Sequence, residues 1–158
     1  MIAALLIGCA GGPGAVATGE WAVDYLPVDG RYSEYAWAGA PTDSPMMLLV
    51  EGDQWQLRNG ATWNTSTELG PFTVSTDDGL WLDDTRVLPE QVALGEEIDG
   101  LTLTGMGSAD VYYGTFSSTV SVELEAGAFA GPHTLAVGHG PIVLTWQGVT
   151  WELIYYEE

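Results

Sequence analysis

The side chains best suited to chemistry are few, and their spacing limits what they can do. His133 and His139 are the only histidines. Neutral imidazole ligates metals and moves protons near neutral pH, and an unbroken strand would carry both rings on one face. Gly138 interrupts that strand and no further ligand stands nearby in sequence, so the spacing predicts one strand and one turn histidine without a metal. Four aspartates, Asp77, Asp78, Asp83 and Asp84, flank a short hairpin and are the candidates for Ca²⁺, a cation that takes carboxylate oxygens. They lack the Asp-x-Asp-x-Asp-Gly loop of a dedicated calcium site, so the expectation is a solvated acidic hairpin and no metal. There is no Gly-x-Ser-x-Gly, and Ser108 sits among turn glycines rather than between a strand and a helix. Gly105-x-Gly107 opens no helix and is no phosphate cradle. Many carboxylates leave room for the acid pair of glycoside hydrolysis, but no spacing selects two of them. No catalytic residue and no cofactor is expected.

Composition narrows the partners. With Arg31, Arg58 and Arg86 as the only basic side chains beside 22 acidic ones, the formal net charge is -19. A field of that sign repels phosphate backbones and anionic headgroups, which excludes nucleic-acid binding and electrostatic membrane docking. A length of 158 residues gives one ordinary domain, and seven Trp among many apolar residues argue for a real core. No apolar run approaches the length of a membrane-spanning helix.

The elements that must position these groups are strands. Residues 141–156 read as a hairpin about Gln147-Gly148, with Trp146 opposite Val149, Leu144 opposite Trp151 and Ile142 opposite Leu153 on one apolar face. A one-residue slip would turn that face to water, at about 1.5–3 kcal/mol for each large side chain exposed. Residues 46–59 make a second hairpin about Gly52-Asp53, pairing Val50 with Trp55 and Leu48 with Leu57. A third pairs Phe72 with Leu82 and Val74 with Leu80 across Asp77-Asp78-Gly79. Further strands are expected over 21–26, 32–37, 61–67, 85–88, 101–104, 119–124 and 133–137, with a short helical turn over 90–94. The fold class is all-β, a single antiparallel β-sandwich or barrel of about eleven short strands.

The N-terminus points to an address. Leu6-Ile7-Gly8-Cys9 resembles a bacterial lipobox, where a cysteine is acylated after leader cleavage, and residues 10–19 are Gly-rich like a flexible tether. The resemblance implies a signal-peptide remnant over 1–8, a lipidated Cys9 with its tether over 9–19, and a β domain over 20–158. Gly138-His139-Gly140-Pro141-Ile142-Val143 followed by Trp151-Glu152-Leu153 is similar to the closing strands of uncharacterised bacterial envelope lipoproteins. Gly19-Glu20-Trp21 resembles the Gly-x-Trp that opens lipocalins.

Three functions follow as expectations. The first is a non-enzymatic lipoprotein anchored at the bacterial cell envelope, outer membrane by expectation, with a binding or structural role and an unspecified protein or small-molecule partner. The second, implied by the lipocalin resemblance, is a carrier holding an apolar small molecule in a hollow barrel. The third is a glycan-acting hydrolase, which needs two carboxylates roughly 5–10 Å apart in an aromatic groove.

Overall fold

The computed structural model describes residues 24–37, 43–90 and 93–157. Cys9, the Gly-rich segment and Gly19-Glu20-Trp21 lie outside them. Of the strand expected over 21–26 only Asp24, Tyr25 and Leu26 are described, and they do not form one. Tyr25 is buried in the core, and the Asp24 carbonyl accepts a 2.7 Å hydrogen bond from the Gly138 amide.

Thirteen strands are present among the described residues, rather than eleven. The first hairpins are built from β1 (Tyr32–Trp37), β2 (Met46–Glu51), β3 (Gln54–Asn59) and the two-residue β4 (Thr67–Glu68). Next come β5 (Phe72–Ser75), β6 (Gly79–Leu82), β7 (Thr85–Pro89) and the short β8 (Glu97–Ile98). The longest strands, β9 (Leu101–Val111) and β10 (Gly114–Leu124), precede β11 (Gly131–Ala136), β12 (Gly140–Trp146) and β13 (Val149–Tyr156).

All pair antiparallel in the order β7-β6-β5-β3-β2-β1-β13-β12-β11-β10-β9-β8, with β4 beside β3. β7 also packs against β9 and β10, so the two ends of the sheet approach and the protein is a nearly closed barrel. Arg86 of β7 spans this seam, 2.6 Å from Asp78 and 3.5 Å from Asp99 in the β8–β9 turn, with its guanidinium 4.6 Å over the Trp81 ring. Exposed ion pairs contribute about 0–1 kcal/mol. The seam therefore depends more on Val87 and Leu88, buried in the same cluster as Leu101 and Leu103.

Both short loops set register as the turn chemistry requires. Gln147 (φ 48°) and Gly148 (φ 78°) make a primed turn, and Trp146 opposes Val149 while Leu144 opposes Trp151. Gly52 (φ 61°) places Val50 opposite Trp55 and Leu48 opposite Leu57. Leu144, Ile142 and Leu153 are fully inside, whereas Trp146, Val149 and Trp151 are half-buried at the barrel's end.

Four expectations need correction. Of the strand expected over 61–67 only Thr67 is in one, opening β4: a 3₁₀ turn at Trp63–Thr65 laps the sheet, its Trp63 edge-on to Tyr32 at 6.0 Å and beneath Arg58 at 5.2 Å. In the third hairpin Val74 opposes Leu82, a two-residue offset that leaves each side chain on its intended face. The described part of 90–94 holds no helical turn. The strand expected to stop at Gly105 runs on to Val111, because β10 pairs with it along its length, with irregularities at 116–119 and 121–122.

The barrel interior is filled. Tyr35, Met46, Leu48, Leu57 and Leu80 are at most 1–2 % exposed, and the cavity between Leu48, Trp55, Leu57, Phe72, Leu82, Phe129 and Leu144 measures about 10 Å³. That is at or below the space of one water. Tyr35 crosses behind β13 to donate a 2.7 Å hydrogen bond to the Pro141 carbonyl, and burial pushes its phenol pKa upward.

Candidate functional site

The sequence-selected residues are not brought together. His133 projects inward beside Val122, 3 % exposed, and its Nε2–H donates to the Phe129 carbonyl at 2.6 Å. His139 sits in the β11–β12 turn at the rim. Asp77, Asp78, Asp83 and Asp84 are all exposed. Asp78 is engaged by Arg86 and by the Trp81 indole at 2.7 Å, and Asp83 accepts from the Thr73 amide at 2.7 Å. Among the described residues no group of three or more His, Cys, Asp or Glu side chains is arranged to hold a metal. Ser108 lies within β9, exposed and without a partner histidine.

Burial of His133 has a consequence for stability. Desolvation lowers its pKa from the ordinary 6.5, so the unfolded chain takes up a proton first as pH falls. The contribution of neutral His133 is complete above about pH 6.5 and drains away below it, at no more than about 1.4 kcal/mol per pH unit for one proton. Denaturant titrations at pH 7.5 and 5.5 should show this loss in the native protein and a shallower loss in His133→Phe. Equal slopes for the two proteins would remove His133 as the cause.

A rim groove at one mouth of the barrel has a volume of about 410 Å³ and is open to solvent. Its walls come from three separate places in the chain. The β9–β10 hairpin closes with Val111 opposite Gly114, leaving Tyr113 at the tip, where its amide donates to the Leu153 carbonyl at 3.1 Å. That bond folds the tip onto β13 and sets the Tyr113 ring 4.6 Å from Tyr156. In β10, Phe116 opposes Ala109 and Thr119 opposes Gly107, so Ser117 and Ser118 face a single residue across the pair. Such a bulge frees side chains from the ladder and re-aims them. The Ser118 carbonyl accepts from the Val137 amide at 3.0 Å, which attaches the β11–β12 turn to the bulge.

Gly138 (φ 69°) gives that turn its left-handed step and its carbonyl accepts from Arg31 Nη1 at 3.0 Å. The His139 ring is thereby oriented. Its Nδ1–H donates to the Val137 carbonyl at 2.9 Å, which leaves Nε2 to accept from the Tyr156 hydroxyl at 3.3 Å. Phe116 stands edge-on to His139 at 5.0 Å and Tyr156 does so at 5.1 Å, while the Arg31 guanidinium covers Tyr156 at 4.9 Å. Aromatic edge-to-face pairs of this kind contribute about 0.5–1.5 kcal/mol each, enough to hold the rings in place without a ligand.

Among the described residues, no Asp, Glu, Lys or Arg lines the groove. The exposed carboxylate of Asp110 reaches its margin by accepting from the Thr115 hydroxyl at 2.6 Å. The carboxylate pair of a glycoside hydrolase is not assembled here. A smaller groove of about 230 Å³ lies at the opposite end of β12 and β13, lined in part by Trp146 and Trp151.

Sequence reasoning missed this site because its members are dispersed: Tyr113, Phe116, His139 and Tyr156 meet only after β10 and β13 are placed around the turn. The one local signal was the Tyr112-Tyr113 pair, two exposed aromatics next to a glycine. No helix among the described residues is long and apolar enough to cross a membrane. No protein-family profile matches the chain, and neither a curated protein nor a solved structure matches it significantly.

Proposed function

We propose that this chain is a non-enzymatic binding module, held at the bacterial cell envelope by a lipid on Cys9 and presenting its rim groove to a ligand. The observation that carries the reading is the contrast between a cavity of about 10 Å³ among the core residues Leu48, Trp55, Leu57 and Leu144 and an exterior groove of about 410 Å³. Small-ligand pockets usually need about 300–1,000 Å³, a range the groove meets and the interior does not. A carrier of an apolar molecule inside the barrel would need that space among residues that already fill it. The Gly-rich composition of residues 10–19 supports the assignment, since such a sequence suits a tether between a lipid and a folded module.

Metabolic labelling with a palmitate analogue tests the anchor in a bacterium expressing the gene with its own leader. Label on the native protein and none on Cys9→Ser is the expected result. An unlabelled native protein overturns the lipid anchor.

A further inference from the structure

We propose that the rim groove binds a neutral oligosaccharide, its pyranose rings lying against Tyr113, Phe116, His139 and Tyr156 while Ser117 and Ser118 take their hydroxyls. This deepens the binding-module reading and rests on it. Three properties of the groove converge on that ligand class.

The first is charge. On a protein of net charge -19, the described lining of this groove holds no Asp, Glu, Lys or Arg, a property it shares with the Trp146–Trp151 groove. An anionic ligand would meet an unfavourable field on approach and find no Lys or Arg in the described lining, Arg31 being taken up by the Gly138 carbonyl and the Tyr156 ring. A cation would find no carboxylate in the lining, and Arg31 already lies against Tyr156. An uncharged ligand suffers neither penalty.

The second is amphipathicity. Sugar rings have apolar C–H faces and a polar equatorial edge, so they suit a wall of aromatic rings beside hydroxyls. Here four rings stand with neighbouring centroids 4.6–6.4 Å apart. The Ser117 and Ser118 side chains are exposed at the bulge. A purely apolar ligand would leave these hydroxyls unpaired beneath it.

The third is preorganisation. The hydrogen bonds donated by the Tyr113 amide to the Leu153 carbonyl and by the Val137 amide to the Ser118 carbonyl, with the two of His139, hold the walls before any ligand arrives. Little ordering entropy is then left for binding to overcome.

Isothermal titration of the full chain with cellohexaose, chitohexaose and maltohexaose tests the proposal and distinguishes plain hexose from N-acetylhexosamine. Hexagalacturonate and tetramethylammonium serve as charged probes. At least one neutral hexasaccharide should bind with Kd between about 10 µM and 1 mM. Phe116→Ala should weaken it about tenfold or more. Because Phe116 also packs against His139, Ser117→Arg is the second variant: it sits on an exposed bulge, should leave the denaturation midpoint within error, and should block the groove.

No heat from any neutral hexasaccharide up to about 10 mM overturns the proposal. So does binding that Ser117→Arg leaves unchanged, which would place the sugar elsewhere, as on the Trp146–Trp151 groove. Binding of a charged probe alone, lost in Ser117→Arg, overturns the sugar and leaves the binding module standing. Acylation of Cys9 is read separately, so a failed ligand class and a failed anchor give different results.

Discussion

Leu144→Ala should lower the unfolding free energy by about 2–5 kcal/mol, toward the upper part of that range. Leu144 is 3 % exposed on β12 and borders the 10 Å³ space together with Leu48, Trp55, Leu57, Phe72, Leu82 and Phe129. Part of the loss is the transfer free energy of the deleted methyl groups. The remainder depends on whether the surroundings relax into the void, at about 24 cal/mol for each Å³ left open. Collapse is difficult here because these residues belong to strands hydrogen-bonded into one curved sheet, so moving one wall inward would break register on its neighbours. A domain of this size has about 5–15 kcal/mol in total, so the change is a large share of it.

Urea titration should show the loss as a lower midpoint with an unchanged slope. The result bears on function as well as stability. A cost below about 1 kcal/mol would mean that the interior packs loosely, and would reopen the carrier reading that the filled core argues against.

Gly79→Ala should be comparably damaging, at about 3–5 kcal/mol, for a different reason. Gly79 opens β6 at φ 137°, a region that L side chains rarely adopt. A Cβ there would lie 2.3 Å from the Leu88 carbonyl oxygen and 3.0 Å from the Pro89 Cα, both backbone atoms of the paired strand. Relief requires β7 to move, and β7 carries Val87 and Leu88 into the core at 2 % and 0 % exposure. Gly52→Ala is the control. Its φ of 61° is also left-handed, but nothing lies within 4 Å of its would-be Cβ, so only the conformational penalty of about 1–2 kcal/mol applies. Amide exchange should show β6 and β7 losing protection first in Gly79→Ala. Equal costs for the two variants would rule out the steric account.

The hairpins show what could be read before folding and what could not. About Gln147-Gly148 and Gly52-Asp53, a two-residue loop leaves one register that keeps the apolar row together, and the structure has that register. The hairpin between β5 and β6 has a longer loop, and pairing Val74 with either Leu80 or Leu82 keeps the same faces buried. A pattern of period two cannot distinguish offsets of two. Gly105 and Gly107 read as the end of a strand because glycine weakens strands locally. Pairing with β10, where Gly105 opposes Ser121 and Gly107 opposes Thr119, overrides that preference.

What the sequence by itself determined is therefore local and near-neighbour: an all-β chain, the dry face of each short hairpin, and a strongly acidic charge balance. These follow from alternation, turn chemistry and charge count, which need no long-range contact. Only the tertiary structure decided that the sheet curls into a filled barrel rather than a sandwich, that His133 and His139 part to inside and rim, and that four aromatic rings gather at one mouth. The physical reason is that closure depends on contacts such as β7 with β9 and β10, and the groove on the Tyr113 amide reaching Leu153, none of which leaves a periodic trace along the chain.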